Sequence, residues 1–159
     1  MNVITVTRMR EQHAGDFRRL NLEWIERLFK AEPPDFKVLD DPIGNIIRPG
    51  GMVWVALDGD VVVGTAAIIR VTPERYELAK MAVAATHQQR GIGNTLGLAC
   101  TTWAAEHGAR VLFLETNSSL DGAIRLYERL GFRHAPWPHP SDYARGDVYM
   151  ELVLDPARS

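Results

Sequence analysis

The sequence predicts a mixed α/β domain whose sheet is mainly antiparallel at its N-terminal end. Three observations predict it. Apolar, strand-like runs at 52–57, 61–71 and 76–83 follow one another across short polar breaks. The segments 12–30 and 91–107 instead carry amphipathic, helical patterns. From 76 onward strands and helices alternate, which makes the domain a mixed one. With 159 residues, 46% of them hydrophobic, the chain suits one domain, 1–159, large enough to bury a core.

Each element has a local reason. Val3, Ile4 and Val6, interleaved with Thr5 and Thr7, give a first strand. Phe17, Leu20, Trp24 and Leu28 recur at helical spacing, and Pro33-Pro34 is expected to end that helix. Residues 35–51, with Asp40-Asp41-Pro42 and Pro49-Gly50-Gly51, are expected to be irregular or to hold one short helix. Asp58-Gly59-Asp60 is a hairpin turn, because Asp-Gly supplies the positive φ a tight turn requires. Thr72–Arg75 turns the chain into a fourth strand, 76–83. The helix at 91–107 stops at Gly108 and a second, 120–130, stops at Gly131. Val111–Thr116, Phe132 and Val148–Leu154 supply the remaining strands.

Composition excludes several classes. A formal charge of −2 gives no basic face for nucleic acid. The longest apolar stretch, 61–70, contains Gly64 and Thr65 and is too short to span a bilayer, and the N-terminus lacks the apolar core of a signal peptide. A lone cysteine, Cys100, forms no internal disulfide and fits a reducing, cytoplasmic setting, most simply as a small buried hydrophobe. The five histidines lack metal-ligand spacing, so no metal is expected.

The segment Gln88-Gln89-Arg90-Gly91-Ile92-Gly93-Asn94 follows a strand and opens a helix. Glycines at such a junction let backbone approach a ligand, and the free N–H groups of the first turn favour an anion. Tight packing alone also accounts for a Gly-x-Gly. A Walker loop fails for want of a lysine after Gly93. A dinucleotide fingerprint meets Leu96 where Gly or Ala belongs, and its acidic ribose partner, roughly 20 residues on, would be Glu115 inside an apolar strand.

A third pattern fits. Gln88-x-x-Gly91-x-Gly93, then Leu112-Phe113-Leu114-Glu115-Thr116-Asn117, then Leu126-Tyr127-Glu128-Arg129-Leu130-Gly131-Phe132 stand in one register across more than fifty residues. This arrangement resembles the GNAT superfamily of acetyl-CoA-dependent N-acetyltransferases. The resemblance implies a mixed, mainly antiparallel sheet flanked by helices, with parallel fourth and fifth strands that splay apart. It implies acetyl-CoA as acetyl donor, with its pantetheine arm along Met81, Ala82 and Val83 and its pyrophosphate over Gln88, Gln89, Arg90, Gly91, Ile92, Gly93 and Asn94. Plain strand core is the other role open to Met81–Val83.

The same resemblance places a general base at Glu77 and a general acid at Tyr127. Apolar neighbours would raise a carboxyl at Glu77, although a surface carboxylate paired with Lys80 or Arg75 is the simpler alternative. Tyr127 is otherwise a core aromatic beside Leu120, Ile124 and Leu130. Asn117 would contact pantetheine, or merely form a turn. The acceptor, a small-molecule or peptide amine, would enter between 24–37 and 137–145, where Trp24, Glu32 and Trp137 are the candidate contacts. Glu32 and Asp35 would attract a cationic amine, or remain solvated loop acids. A homodimer is compatible with the resemblance. A non-catalytic acyl-CoA-binding module stays open beside the enzyme, and a dinucleotide-binding oxidoreductase fragment is a weaker third class.

Overall fold

The computed structural model describes residues 3–154. Seven strands form one sheet: β1 (Ile4–Arg8), β2 (Met52–Asp58), β3 (Val61–Arg70), β4 (Arg75–Val83), β5 (Val111–Thr116), β6 (Arg133–His134) and β7 (Val148–Val153). Their order is β1-β2-β3-β4-β5-β7-β6. The β2–β3 hairpin closes over Gly59, whose φ is +63°. Four helices cover the sheet: α1 (Ala14–Leu28), α2 (Pro33–Asp40), α3 (Ile92–Glu106) and α4 (Asp121–Leu130).

Each face of the sheet buries a different set of helices. On one, Phe17 and Leu20 of α1, Leu39 of α2 and Ile46 pack against Val53, Val55, Ala67 and Ala82. On the other, Leu96, Cys100 and Trp103 of α3 meet Ile68, Tyr76, Leu78, Leu112, Leu114 and Met150. Each fully buried side chain of this size contributes roughly 1.5–3 kcal/mol, and together they fix both helix layers on the sheet. α4 lies on α3 because Gly93 and Gly97 leave room for Leu126 and Leu130. A methyl group at Gly97 would clash with a Leu130 methyl.

Two differences from the sequence reading concern the acceptor side. Pro33-Pro34 does not end the first helix. α1 stops at Leu28, and the prolines occupy the first turn of α2. There the missing N–H groups cost nothing, and the fixed φ suits a helix. Glu32 and Asp35 form a reciprocal capping box, in which the Glu32 N–H donates to Asp35 Oδ2 at 2.9 Å. The segment after α2 is also more regular than its prolines and glycines suggest. A π-helical turn, Ile43–Ile47, drives Ile46 into the core. At the C-terminal end the short strand is β6, one residue beyond Phe132, which instead fills the core.

The sheet opens where function was expected. β4 and β5 pair in parallel only at Arg75–Val111, Tyr76–Leu112 and Glu77–Phe113. Beyond Glu77, β4 continues to Val83 against β3 alone, while β5 runs alongside β7. A bulge bends β4 here. Thr65 faces Ala82 but Ala67 faces Ala79, and Lys80 within the bulge takes a positive φ of 52°. The edge 78–83 therefore borders a gap rather than a strand.

Candidate active site

The gap is the mouth of a cavity of about 560 Å³. Its floor is β4 from Glu77 to Val83, and its far wall is Glu115–Asn117 with Leu120–Ala123 and Tyr127 of α4. Trp24, Leu28 and Phe29 at the end of α1 form an apolar side, and Tyr143 and Arg145 also line the cavity. A ligand pocket of this size at a break in a sheet is an expected place for a small-molecule site.

Met81, Ala82 and Val83 line it, so their edge faces space that a ligand chain can fill. Ala82 is also buried core, and both roles belong to one strand. Gln88 lies beside them and donates from Nε2 to the Val83 carbonyl at 3.2 Å, tying the loop to the strand end. Gly91 is the N-cap of α3 with φ +79°, and Gln89 also has a positive φ, +61°. The first bond of the α3 ladder is Thr95 N–H to Gly91 O, so the amides of Ile92, Gly93 and Asn94 precede it and are free to meet an anion. A Cβ at Gly91 would meet nothing within 4 Å, which leaves the approach open. Gly93 has a packing role as well, since a Cβ there would lie 3.1 Å from Leu126. Ile92 buries its side chain in the core, leaving only its backbone to the cradle. His87 anchors the turn before the cradle through a 2.9 Å contact with Asp58 on the β2–β3 hairpin.

Glu77 and Tyr127 both line the cavity, Glu77 from β4 and Tyr127 from α4. Among the described residues neither side chain has a hydrogen-bonding or ion-pair partner. Arg75 is taken by Glu151 and Tyr149, and Lys80 by Asp35, so the pairing considered for Glu77 does not form. Burial, and then the charge of Glu115, push the Glu77 carboxyl up to about 7. Burial pushes the Tyr127 hydroxyl up to about 12, so at neutral pH it is a proton donor. Tyr127 also packs edge-on against Phe132 with ring centroids 6.3 Å apart, which fixes its ring.

The acceptor-side candidates divide. Trp24 is in the wall, and its buried Nε1 has no hydrogen-bond partner among the described residues. Trp137 is outside the wall, because its ring packs on Tyr149 with centroids 5.3 Å apart. Glu32 is also outside it. Its carboxylate accepts the Ala144 N–H at 3.2 Å and pairs with Arg145 at 3.3 Å. Asp35 is not a solvated acid. It is fully buried, 2.6 Å from Lys80 Nζ and 2.6 Å from Arg145 Nη2. Asn117 lines the cavity, but its amide donates to the Arg145 carbonyl at 2.8 Å and its Oδ1 caps Ser119, so it holds the loop.

Sequence reasoning missed Lys80, Tyr143, Arg145 and Glu115 as site residues. Glu115 stands on β5 two residues beyond Phe113, the parallel partner of Glu77, and accepts a hydrogen bond from Ser141 of the 135–147 loop. An acidic residue in an otherwise apolar strand was the available signal. For Asp35 and Arg145, 110 positions apart, sequence offers none.

Comparisons with known proteins agree with this geometry. The family model described as Acetyltransferase (GNAT) family matches residues 16–132. The chain belongs to that family. The human N-acetylaspartate synthetase is 38% identical over 87 residues, which cover 54% of this chain and 29% of that protein. The uncharacterized N-acetyltransferase YjgM of Escherichia coli is 35% identical over 111 residues, 68% of this chain and 63% of YjgM. The chain thus matches less than two thirds of either relative's length. An acetyltransferase of the GNAT family from Staphylococcus aureus superposes with a TM-score of 0.86 at 20% identity, covering 96% of this chain and 100% of that one. The yncA protein of Salmonella typhimurium, solved with its cofactor acetyl-CoA, gives 0.78 at 20% identity over 97% and 95% of the two chains. Among the described residues no helix is long and apolar enough to cross a membrane, and no cluster suits a metal ion.

Proposed function

We propose that the protein is an N-acetyltransferase that moves an acetyl group from acetyl-CoA directly to a primary amine of a small molecule or peptide. The observation that carries this reading is the pairing across one cavity of two unpartnered groups of suited acidity, Glu77 and Tyr127. The splayed edge at Met81–Val83 and the free amides at the start of α3 supply the donor's binding surface. The solved relative yncA carries acetyl-CoA, which supports the same donor here.

The chemistry follows from the residues. The acceptor arrives as an ammonium, and Glu77, deprotonated in about half the molecules near pH 7, removes its proton. The free amine attacks the thioester carbonyl. As the tetrahedral intermediate collapses, the C–S bond breaks and the Tyr127 hydroxyl protonates the departing thiolate. The attacking nitrogen, cationic in the intermediate, sheds its second proton to solvent as the amide forms. The products are the amide, CoA and one released proton, and the proton held on Glu77 restores Tyr127 through solvent. Lys80 and Arg145 are compensated by Asp35 and Glu32, so the acids facing the incoming amine, Glu77 and Glu115, favour its cationic form. The name of the synthetase relative supports an amino group as acceptor. A cytoplasmic site of action fits the single buried cysteine.

The test is a screen of primary amines with acetyl-CoA, read by thiol release. Acetyl-CoA-dependent CoA release with some amines, slowed roughly 10²-fold near pH 7 in Glu77→Gln, is expected. Calorimetric binding of acetyl-CoA with no turnover over a broad panel would favour a non-catalytic acyl-CoA-binding module.

A further inference from the structure

Three elements that are remote in sequence meet at one buried charge cluster beside the cavity. Asp35 comes from the first turn of α2, Lys80 from the bulge of β4, and Arg145 from the 135–147 loop. Asp35 accepts from Lys80 Nζ at 2.6 Å, from Arg145 Nη1 at 2.9 Å and from Arg145 Nη2 at 2.6 Å. The Lys80 and Arg145 side chains are only 6% and 14% exposed, and Asp35 is wholly buried. Tyr143 packs between the cations, its ring 4.8 Å from Lys80 Nζ and 4.6 Å from the Arg145 guanidinium. Glu32 completes the set through Arg145. Two cations and two carboxylates sum to zero.

Such a cluster is costly to bury and is not a general route to stability. Its location suggests a use. Lys80 stands three residues after Glu77, on the β4 bulge that follows the last residue paired with β5. Its positive φ is strained for a side-chain-bearing residue and persists only where the surroundings hold it.

We propose that Lys80 is a positioning residue for Glu77: its buried ion cluster with Asp35 and Arg145 fixes the bulge after the base and cancels the cation beside it. An uncancelled lysine here would hold Glu77 as a carboxylate too weak to take a proton. A missing lysine would leave net negative charge and hold Glu77 protonated. The groups facing Glu77 are Lys80 on its own strand, Glu115 on β5, and Asp142, His139 and Tyr143 on the loop, with Asp35 and Arg145 behind Lys80. The role assigned to Glu77 rests on the function proposed above, but the cluster's effect on its charge does not.

The experiment is a carbon-detected NMR titration of the glutamate carboxyls in the full chain, with Glu77→Gln to assign the signal. Asp35→Asn leaves the cluster at +1, and the Glu77 midpoint should fall by on the order of one pH unit. Lys80→Met leaves it at −1, and the midpoint should rise by a similar amount. The double variant is neutral again and should titrate near the parent. Lys80→Arg, which keeps the charge, should also stay near the parent. Opposite shifts with restoration in the double variant are not expected of a merely structural cluster. Single variants that fold, by circular dichroism, and titrate like the parent or shift in the same direction overturn the proposal. If a single variant does not fold, the parent, Lys80→Arg and the double variant decide: a double-variant midpoint more than one unit from the parent's overturns it. Thiol release over pH 5–9 is a separate readout, so failure of acetyl transfer does not obscure this result.

Discussion

Replacing Glu77 with Gln keeps the side chain's shape and removes its proton. A carboxyl with a pKa of about 7 is roughly half ionised at pH 7, about a tenth at pH 6 and about a hundredth at pH 5. With saturating amine, parent kcat should therefore fall close to tenfold per pH unit below 7. A carboxylate at the ordinary 4.5 would leave kcat flat down to about pH 5.5. Glu77→Gln should lose this limb, run roughly 10²-fold slower near pH 7, and recover at higher pH as the amine deprotonates itself. Stability carries the same signature with a definite sign. The folded pKa exceeds the unfolded one, so this group's contribution is fully present below about 4.5 and is lost as pH rises through 7. The glutamine stays neutral throughout. The variant should thus gain on the parent between pH 4.5 and 7 and be more stable above. A rise from 4.5 to about 7 corresponds to about 3 kcal/mol, reduced by solvent to roughly 1–2 kcal/mol at a group that keeps some exposure. Thiol-release kinetics and thermal melts across pH 4–9 measure both. Parent kcat that is flat from pH 5.5 to 9, or a variant matching the parent in rate and in Tm at pH 8, would refute the reasoning.

Other outcomes follow from the same geometry. Gly91→Glu projects a carboxylate into open space beside the free amides of α3, so calorimetry should show acetyl-CoA binding weakened at least tenfold in a folded protein, and unchanged affinity would remove the cradle. Tyr127→Phe removes one hydroxyl that has no hydrogen-bond partner among the described residues, so it should slow turnover while Tm and acetyl-CoA affinity stay near the parent. Equal turnover would leave the leaving thiolate to solvent. Cys100 is fully buried and its thiol is raised well above the usual range, so thiol reagents should label it only on unfolding, and rapid labelling of the native protein would contradict the packing of α3.

The sequence by itself determined the order of strands and helices along the chain, the hairpin at Gly59 and the start of α3 near Gly91. Such features rest on local chemistry: alternation, helical spacing and residues that tolerate positive φ. Glu77 and Tyr127 were legible because a resemblance in register singled them out, and the structure places both on the same cavity. Local signals misled at Pro33-Pro34, where prolines that can end one helix opened the next. Trp137 and Glu32 were legible as loop residues, yet their partners, Tyr149 and Arg145, were not. Only the tertiary structure decided which acids face the cavity and which lie buried behind it. Asp35 reads as a solvated loop acid until β4 and the 135–147 loop bring Lys80 and Arg145 within 2.6 Å of it. A carboxylate's ionisation depends on the charges and the solvent around it, and those are set by folding rather than by sequence neighbours.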